Sequence, residues 1–342
     1  MRCALTADFL NPNGRLVYRD IGLSVLDEAG ISHAFFSEHT PEVSPQQLRE
    51  FDAVISLAPK YTIASLREAA DRLLTIVRFG VGFDMVDVQA CTEAGVALCV
   101  TRGAVNHSVA EAILTWMLAL SHRLADKNRL VRQGRWAERA NYMGSELRGR
   151  TVGLVGAGGI GRRLAEILRG LGMNQPLVFD PYLSETAAAE IGVYRVSLQE
   201  LMSSSDFVSI NCPLTEETRG LIGAAEIAMM RPDAFLINMA RGGIVSEDAL
   251  FTALKERRIA GAATDVFETE PANSNHPFCG LDNILLAPHC FAWTDELFSE
   301  IGHMAARAVV QFARGQVPES LLVNPEVLQH SSFQRKLRNL SG

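Results

Sequence analysis

Three charged side chains that could do acid–base and ion-binding chemistry each come shortly after an apolar, strand-like run. Arg241 follows AFLINMA, Glu270 lies just beyond GAATDVF, and His289 follows NILLAP. Ligands of open α/β sheets bind outside the carboxyl ends of the strands, so all three are candidates for one site. Singly, they also fit a surface ion pair, a solvated turn acid and a structural histidine.

Together, the three residue types form a chemical set that suits reduction of a ketone by hydride transfer. The alkoxide that such a reaction creates needs a proton, which a histidine such as His289 can supply near neutral pH. A carboxylate such as Glu270 can orient the imidazole. The guanidinium of Arg241 can hold a substrate carboxylate through two parallel bonds and polarise the carbonyl.

A glycine-rich turn supplies the strongest local motif. Gly156, Gly158 and Gly161 form G-x-G-x-x-G after an apolar strand and at the start of an amphipathic helix. The first glycine permits a tight turn, the second lets the backbone approach a pyrophosphate, and the third lets helix and strand pack closely. The helix N-terminus then offers unpaired N–H groups to the phosphates. This context predicts dinucleotide binding rather than a plain strand–turn–helix.

An acidic residue at the end of the next strand supports that prediction. Asp180 follows PLVF, and a carboxylate there can hydrogen-bond the ribose hydroxyls of the adenosine. Pro181 and Tyr182 come next, so the motif carries no cation for a 2′-phosphate. The sequence therefore favours NAD over NADP.

These motifs must be positioned by alternating strands and helices. Strand-like runs lie at residues 54–57, 74–78, 97–100, 152–155, 177–179, 207–210, 234–238, 262–266 and 284–286. Helical stretches lie at residues 64–73, 86–94, 106–133, 160–171, 224–230, 247–257 and 295–313. The alternation predicts two α/β domains with doubly wound parallel sheets, and residues 331–342 are expected to form a frayed polar end.

Composition excludes several other classes. The 342 residues suit roughly two domains, and 48% are hydrophobic, which suffices for sizeable cores. With 32 Lys+Arg against 39 Asp+Glu, the net charge of −7 argues against nucleic-acid binding. The six cysteines are scattered without a C-x-x-C pair, so neither a disulfide framework nor a metal site is expected. We expect a cytoplasmic protein without membrane association, because no signal peptide or bilayer-spanning run is evident.

Ordered segments along most of the chain carry a family resemblance. They are RFGVGFDMVD (78–87), AVNHSVAE (104–111), ELRGRTVGLVGAGGIGRRLA (146–165), CPLTEETRGLI (212–222), MMRPDAFLINMARGGIVSEDAL (229–250), DVFETEP (265–271) and APHC (287–290). The chain resembles the D-isomer-specific 2-hydroxyacid dehydrogenases, a family that includes D-3-phosphoglycerate and D-lactate dehydrogenases and glyoxylate/hydroxypyruvate reductases.

The resemblance implies an NAD-dependent enzyme that interconverts a D-2-hydroxy acid and its 2-oxo acid, with Arg241, Glu270 and His289 as catalytic residues. It implies substrate contacts at Val81, Gly82 and Arg241. The implied NAD contacts are Gly156, Gly158, Gly159, Ile160, Gly161, Asp180, Cys212, Pro213, Thr218, Met239, Ala240, Arg241, Asp265 and His289. Asp265 would meet the nicotinamide carboxamide, or serve only as a cap of its strand end.

The resemblance also implies the architecture. A Rossmann NAD-binding domain, residues 106–294, is inserted in a flavodoxin-like substrate domain made of residues 1–105 and 295–342. A homodimer is expected through the long helix near residues 106–124.

Departures from the family pattern bear on the substrate. Trp293 is an aromatic residue that could crowd the substrate or pack between domains, and Arg102 could contact substrate or lie on the surface. Lys60 is the one cation in SLAPKY (56–61), which weakens the prediction of a phosphorylated substrate. A phosphite-type dehydrogenase on the same scaffold and an NAD-sensing, corepressor-like binding protein remain alternatives.

Overall fold

The computed structural model describes residues 1–67 and 71–341 and divides into two compact units. One consists of Met1–Val105 with Trp293–Gly342, and the other of Asn106–Ala292. The strands are β1 (Arg2–Leu5), β2 (Ser32–Phe35), β3 (Ala53–Ser56), β4 (Thr75–Arg78), β5 (Ala97–Val100), β6 (Val152–Val155), β7 (Leu177–Phe179), β8 (Tyr194–Arg195), β9 (Phe207–Ile210), β10 (Phe235–Asn238), β11 (Gly261–Thr264) and β12 (Ile284–Leu286). The α-helices are α1 (Leu23–Glu28), α2 (Pro45–Leu48), α3 (Ile63–Leu66), α4 (Val88–Glu93), α5 (Asn106–Ser121), α6 (Leu124–Arg132), α7 (Gly159–Leu168), α8 (Glu185–Ile191), α9 (Leu198–Ser204), α10 (Ala224–Met229), α11 (Glu247–Lys255), α12 (Asp295–Ala313) and α13 (Ser331–Ser341).

The first unit holds a five-stranded parallel sheet in the order β2-β1-β3-β4-β5. This is the flavodoxin-like order of a doubly wound sheet. Strands β3 and β5 are buried along their whole length, as expected where helices cover both faces. Helix α12 returns to this unit and packs against α1 and β4.

The second unit holds a seven-stranded parallel sheet in the order β12-β11-β10-β9-β6-β7-β8. The chain runs from β6 outward through β7 and β8, then crosses back to β9 on the other side of β6. The direction of winding therefore reverses between β6 and β9, which is the switch point where open α/β sheets bind ligands. The predicted fold class, two doubly wound parallel sheets with one of Rossmann type, is confirmed.

Most predicted elements of the second unit fall within two residues of the observed ones. The mostly helical stretch predicted over residues 106–133 is divided into two helices. Helix α5 ends at Ser121, and α6 begins at Leu124. Between them Arg123 adopts a left-handed φ of 53°, which no regular helix accommodates. Three of the residues in the helix predicted at 64–73, namely 68–70, lie outside the described residues.

The prediction of a frayed C-terminal end is wrong. Residues Ser331–Ser341 form α13, with Phe333 and Lys336 buried. Its apolar residues are few, but they fall on one face, which is enough to dock a helix against an existing core.

Within the described residues, no helix is both long enough and apolar enough to cross a bilayer.

Candidate active site

The glycine-rich turn leaves β6 at the switch point and enters α7. Gly156 has a φ of 100°, and a Cβ on Gly161 would lie 2.5 Å from the carbonyl oxygen of Gly156. These two glycines are therefore required by the turn and by close packing. A Cβ on Gly158, in contrast, would have no heavy atom of the protein within 4 Å. The open side of Gly158 fits the expected approach of a pyrophosphate, and Gly159 and Ile160 begin the helix behind it.

Asp180 lies at the end of β7, beside this turn. Its carboxylate oxygens accept the N–H groups of Ala157 and Tyr182, both at 2.9 Å. A cleft of about 490 Å³ next to it is also lined by Arg195, whose guanidinium pairs with Glu185 at 3.2 Å. The sequence shows no cation directly after Asp180. The fold brings Arg195 to the same cleft from β8, which no local motif could indicate.

The segment after β9 forms a hydrogen-bonded loop. The hydroxyl of Thr218 donates to the carbonyl of Pro213 at 2.6 Å and accepts the N–H of Thr215 at 2.7 Å. Burial raises the pKa of the Cys212 thiol to about 11, so this thiol is protonated at neutral pH. Cys212 is therefore suited to packing at the turn rather than to nucleophilic chemistry.

Arg241 is held at the end of β10 by a residue that sequence reasoning missed. The buried amide of Asn238 donates to the carbonyl of Arg241 and accepts the N–H of Ala240, both at 3.0 Å. These two bonds fix the path of residues 239–241, including Met239, and Arg241 Nη1 donates to the carbonyl of Ala240 at 2.7 Å. An asparagine closing a strand before a charged residue is the only signal for it in the sequence.

Glu270 and His289 are in contact. His289 Nδ1 lies 2.7 Å from Glu270 Oε2, and Glu270 Oε1 accepts the N–H of Phe267 at 3.0 Å. A carboxylate accepts hydrogen bonds, so Nδ1 carries the proton and Nε2 is the nitrogen available for exchange. His289 has a left-handed φ of 56°, an unusual conformation for a residue with a side chain.

The electrostatics of the pair favour an ionised Glu270. Burial raises the pKa of this carboxyl, but hydrogen bonds from His289 and from the Phe267 N–H outweigh it. The positive charges of His289 and Arg241 act in the same direction, and the pKa is lowered overall. Glu270 can therefore orient the imidazole and stabilise its protonated form.

Asp265, at the end of β11, anchors the loop that carries His289. Its carboxylate accepts the N–H groups of Cys290 and Phe291 at 3.0–3.2 Å. Burial raises the pKa of Asp265, and the two backbone bonds offset part of that effect. The structure thus gives this residue the capping role, and its contact with a nicotinamide stays a prediction.

The remaining predicted positions belong to the other unit. Val81 and Gly82 follow β4 and are half-buried, and Arg102 and Lys60 are exposed. Trp293 is 51% exposed and packs edge-on against Tyr18 and Phe298 of its own unit. Among the described residues, no three His, Cys, Asp or Glu side chains are grouped as a metal site.

A glycine-rich turn at the switch point and a histidine–carboxylate pair on the same sheet edge define a dinucleotide-binding oxidoreductase. Residues 114–290 match the family model described as "D-isomer specific 2-hydroxyacid dehydrogenase, NAD binding domain". The chain is similar to a glyoxylate reductase from Korarchaeum cryptofilum, with 36% identity over 313 residues, covering 90% of this chain and 94% of the relative. It is also similar to a D-3-phosphoglycerate dehydrogenase from Archaeoglobus fulgidus, with 35% identity over 92% of this chain but only 58% of the relative. The solved TT0316 protein from Thermus thermophilus superposes with a TM-score of 0.81 at 26% identity, covering 94% of this chain and all of that one.

The chain therefore belongs to the D-isomer-specific 2-hydroxyacid dehydrogenases and is an NAD-dependent oxidoreductase. These relatives do not favour the alternatives of a phosphite-type dehydrogenase or a corepressor-like binding protein.

Proposed function

We propose that the enzyme reduces a small, unphosphorylated 2-oxo acid to the D-2-hydroxy acid, with His289 as general acid. The observation that carries this proposal is the 2.7 Å contact between His289 Nδ1 and Glu270 Oε2. It leaves Nε2 for the substrate and places a carboxylate where it stabilises the imidazolium. In the oxidation direction the same nitrogen accepts the proton.

The residues of the set have different roles in this reaction. His289 donates a proton from Nε2 to the carbonyl oxygen of the substrate, and Glu270 keeps the ring in the matching tautomer. Arg241 binds the substrate carboxylate and polarises the carbonyl. Val81 and Gly82 of the other unit are assigned to substrate binding on the family resemblance alone.

NADH, when bound, supplies the hydride for the carbonyl carbon. We assign as its binding set the residues that the family resemblance implies: Gly156, Gly158, Gly159, Ile160, Gly161, Asp180, Cys212, Pro213, Thr218, Met239, Ala240, Arg241, Asp265 and His289. The open side of Gly158 and the fixed carboxylate of Asp180 support this assignment.

The substrate class follows from charge and from the relatives. Lys60 is the one cation in residues 56–61, which leaves little to hold a phosphate there. Relatives named glyoxylate reductase match this chain over most of their own length. We therefore assign glyoxylate or hydroxypyruvate as better substrates than phosphohydroxypyruvate.

The test is kcat/KM for these three acids with NADH and with NADPH. We expect the unphosphorylated acids to be preferred and NADH to be favoured at least tenfold, about 1.4 kcal/mol, because Asp180 repels a 2′-phosphate. A preference for phosphohydroxypyruvate would refute the substrate assignment and point to Lys60 or Arg102. Equal use of NADPH would refute the predicted preference for NADH.

We also propose that the enzyme is a cytoplasmic homodimer. Large apolar side chains are exposed on the helix near residues 106–124, to which the resemblance assigns dimerisation, and on the segment that follows it. They are Leu118, Leu124, Val131, Trp136 and Met143, between 39% and 78% exposed. Sedimentation velocity of the full chain should give the mass of two copies, and Trp136→Glu should shift it toward one. A wild-type chain sedimenting as one copy at micromolar concentration would contradict the dimer.

A further inference from the structure

A second histidine–carboxylate pair lies in the same unit as the site. His276 Nε2 is 3.2 Å from Glu247 Oε2, and the two side chains are only 14% and 22% exposed. His276 Nδ1 accepts the N–H of Phe278 at 3.3 Å, so the proton of the neutral ring sits on Nε2 and is donated to Glu247.

The Glu247 carboxylate also holds the loop that carries Glu270. Its Oε1 accepts the N–H of Glu268 at 2.8 Å, and Glu268 in turn accepts the N–H of Glu247 at 3.1 Å. This reciprocal pair joins the first turn of α11 to the loop after β11. One oxygen of Glu247 therefore faces the loop while the other faces His276.

The backbone around Phe267 makes further contacts. The N–H of Phe267 is bound by Glu270 Oε1, and Gly242 packs so closely on the carbonyl of Phe267 that a Cβ there would overlap it. The ring of His276 packs edge-on against that of Phe267, with centroids 5.1 Å apart. The loop has no regular secondary structure, so these contacts contribute to its conformation, together with hydrogen bonds between Thr264 and Val266.

We propose that His276 and Glu247 are positioning residues that hold Glu270 in reach of His289. The inference rests on the proposed function, because it assigns a purpose to the orientation of Glu270. His276 orients the Glu247 carboxylate, Glu247 fixes the Glu268 N–H, and the fixed peptide presents Glu270 toward His289. Besides Glu270, the charged groups that act on His289 are Asp265 and, through Glu270, Arg241.

The test uses His276→Phe in the full-length enzyme. Phenylalanine keeps an aromatic ring against Phe267 but removes the donor to Glu247. We expect kcat for 2-oxo acid reduction to fall about tenfold, and the falling limb of the pH profile to move to lower pH, in the same direction as in Glu270→Gln. NADH affinity should be unchanged. His276→Gln keeps an N–H donor and should restore most of kcat and the position of the limb.

A matched control is His33→Phe in β2, because His33 also pairs with a carboxylate, Asp27, at 3.0 Å in the other unit. This variant should change neither kcat nor the position of the falling limb of the pH profile. If His276→Phe does not fold, Glu247→Ala breaks the same contact from the other side and should give the same shift.

The outcomes separate the two proposals. If Glu270→Gln moves the limb while His276→Phe and Glu247→Ala do not, the positioning role is wrong and the catalytic pair stands. If Glu270→Gln itself leaves the limb in place, the proposed catalytic role of the Glu270–His289 pair is wrong. A lowered melting temperature with an unmoved limb would show a structural role only.

Discussion

His289 combines an unusual backbone conformation with a short contact to an acid. A left-handed φ at a residue with a side chain costs about 1 kcal/mol and persists only where its surroundings hold it. Here Asp265 binds the next two N–H groups of the loop, and Glu270 binds the ring. The strain is therefore located where the direction of the imidazole matters.

Replacing Glu270 by glutamine tests the charge of this partner without changing its shape. Reduction needs His289 protonated, so its rate should be high at low pH and fall as pH rises. Without the negative charge the imidazolium loses a stabilising neighbour. The falling limb of kcat/KM should then move to lower pH. The rising limb of the oxidation reaction should move with it.

The measurement is kcat/KM against pH in both directions for the wild type and Glu270→Gln. His289→Asn serves as the reference, because removing the general acid should cost about 10²–10⁴ in rate and flatten the limb. An unmoved limb in Glu270→Gln would mean that this carboxylate does not act on His289.

Residue types that could do chemistry can be selected from the sequence as candidates, and residues that act through others are harder to select. Arg241, Glu270 and His289 stand out because each follows a strand end. Asn238 and Arg195 do not, because their roles depend on which backbone groups or cleft the fold brings to them. A side chain that only fixes a loop leaves little mark in residue type or spacing.

At the scale of elements, the glycines of the β6–α7 turn differ in whether their surroundings leave room for a side chain. Gly161→Ala would force the new Cβ to within 2.5 Å of a backbone carbonyl, so it should lower stability. Gly158→Ala meets open space, so the protein should fold normally. Its methyl group would occupy the position where the backbone approaches the cofactor. We expect NADH to bind about tenfold or more weakly.

Thermal unfolding and NADH titration of the two variants test these different roles of Gly161 and Gly158. Gly170→Ala, at another glycine with open space around it and outside the turn, should change NADH affinity little. Unchanged NADH affinity in Gly158→Ala would show that this backbone does not approach the cofactor.

The predictability of elements depends on their apolar character. Strands β6, β9 and β5 are predominantly apolar and fully buried, and the sequence predicts their bounds to the residue. Strands β1 and β2 are not predicted, because RCAL and SHAF mix polar with apolar residues. Such strands are stabilised by their neighbours in the sheet rather than by their own pattern.

At the scale of the whole molecule, helix α13 carries a lysine, Lys336, that is buried in the first unit. Lys336 Nζ donates to the carbonyls of Leu73 at 2.7 Å and of Ala94 at 3.4 Å, and the residue is 5% exposed. Burial lowers the pKa of Lys336 to about 8, and the like charge of Arg335 contributes in the same direction. Two carbonyl partners hold the amine, but they do not compensate for the lost hydration of its charge.

This lysine should make stability depend on alkaline pH. Its pKa is about 8 in the folded protein and near 10.5 when unfolded, so between those values the unfolded chain binds more protons. The free energy of unfolding must then rise with pH across that window, while the full cost of the buried charge is present below pH 8.

In Lys336→Met this contribution is absent. We expect the stability of the wild type relative to Lys336→Met to increase by about 3 kcal/mol from pH 7.5 to pH 10.5. Denaturant unfolding of both proteins across that range measures the difference directly, and other alkaline titrations cancel in it. A difference that stays constant with pH would mean that Lys336 keeps its ordinary pKa in the folded protein and that its charge is not buried.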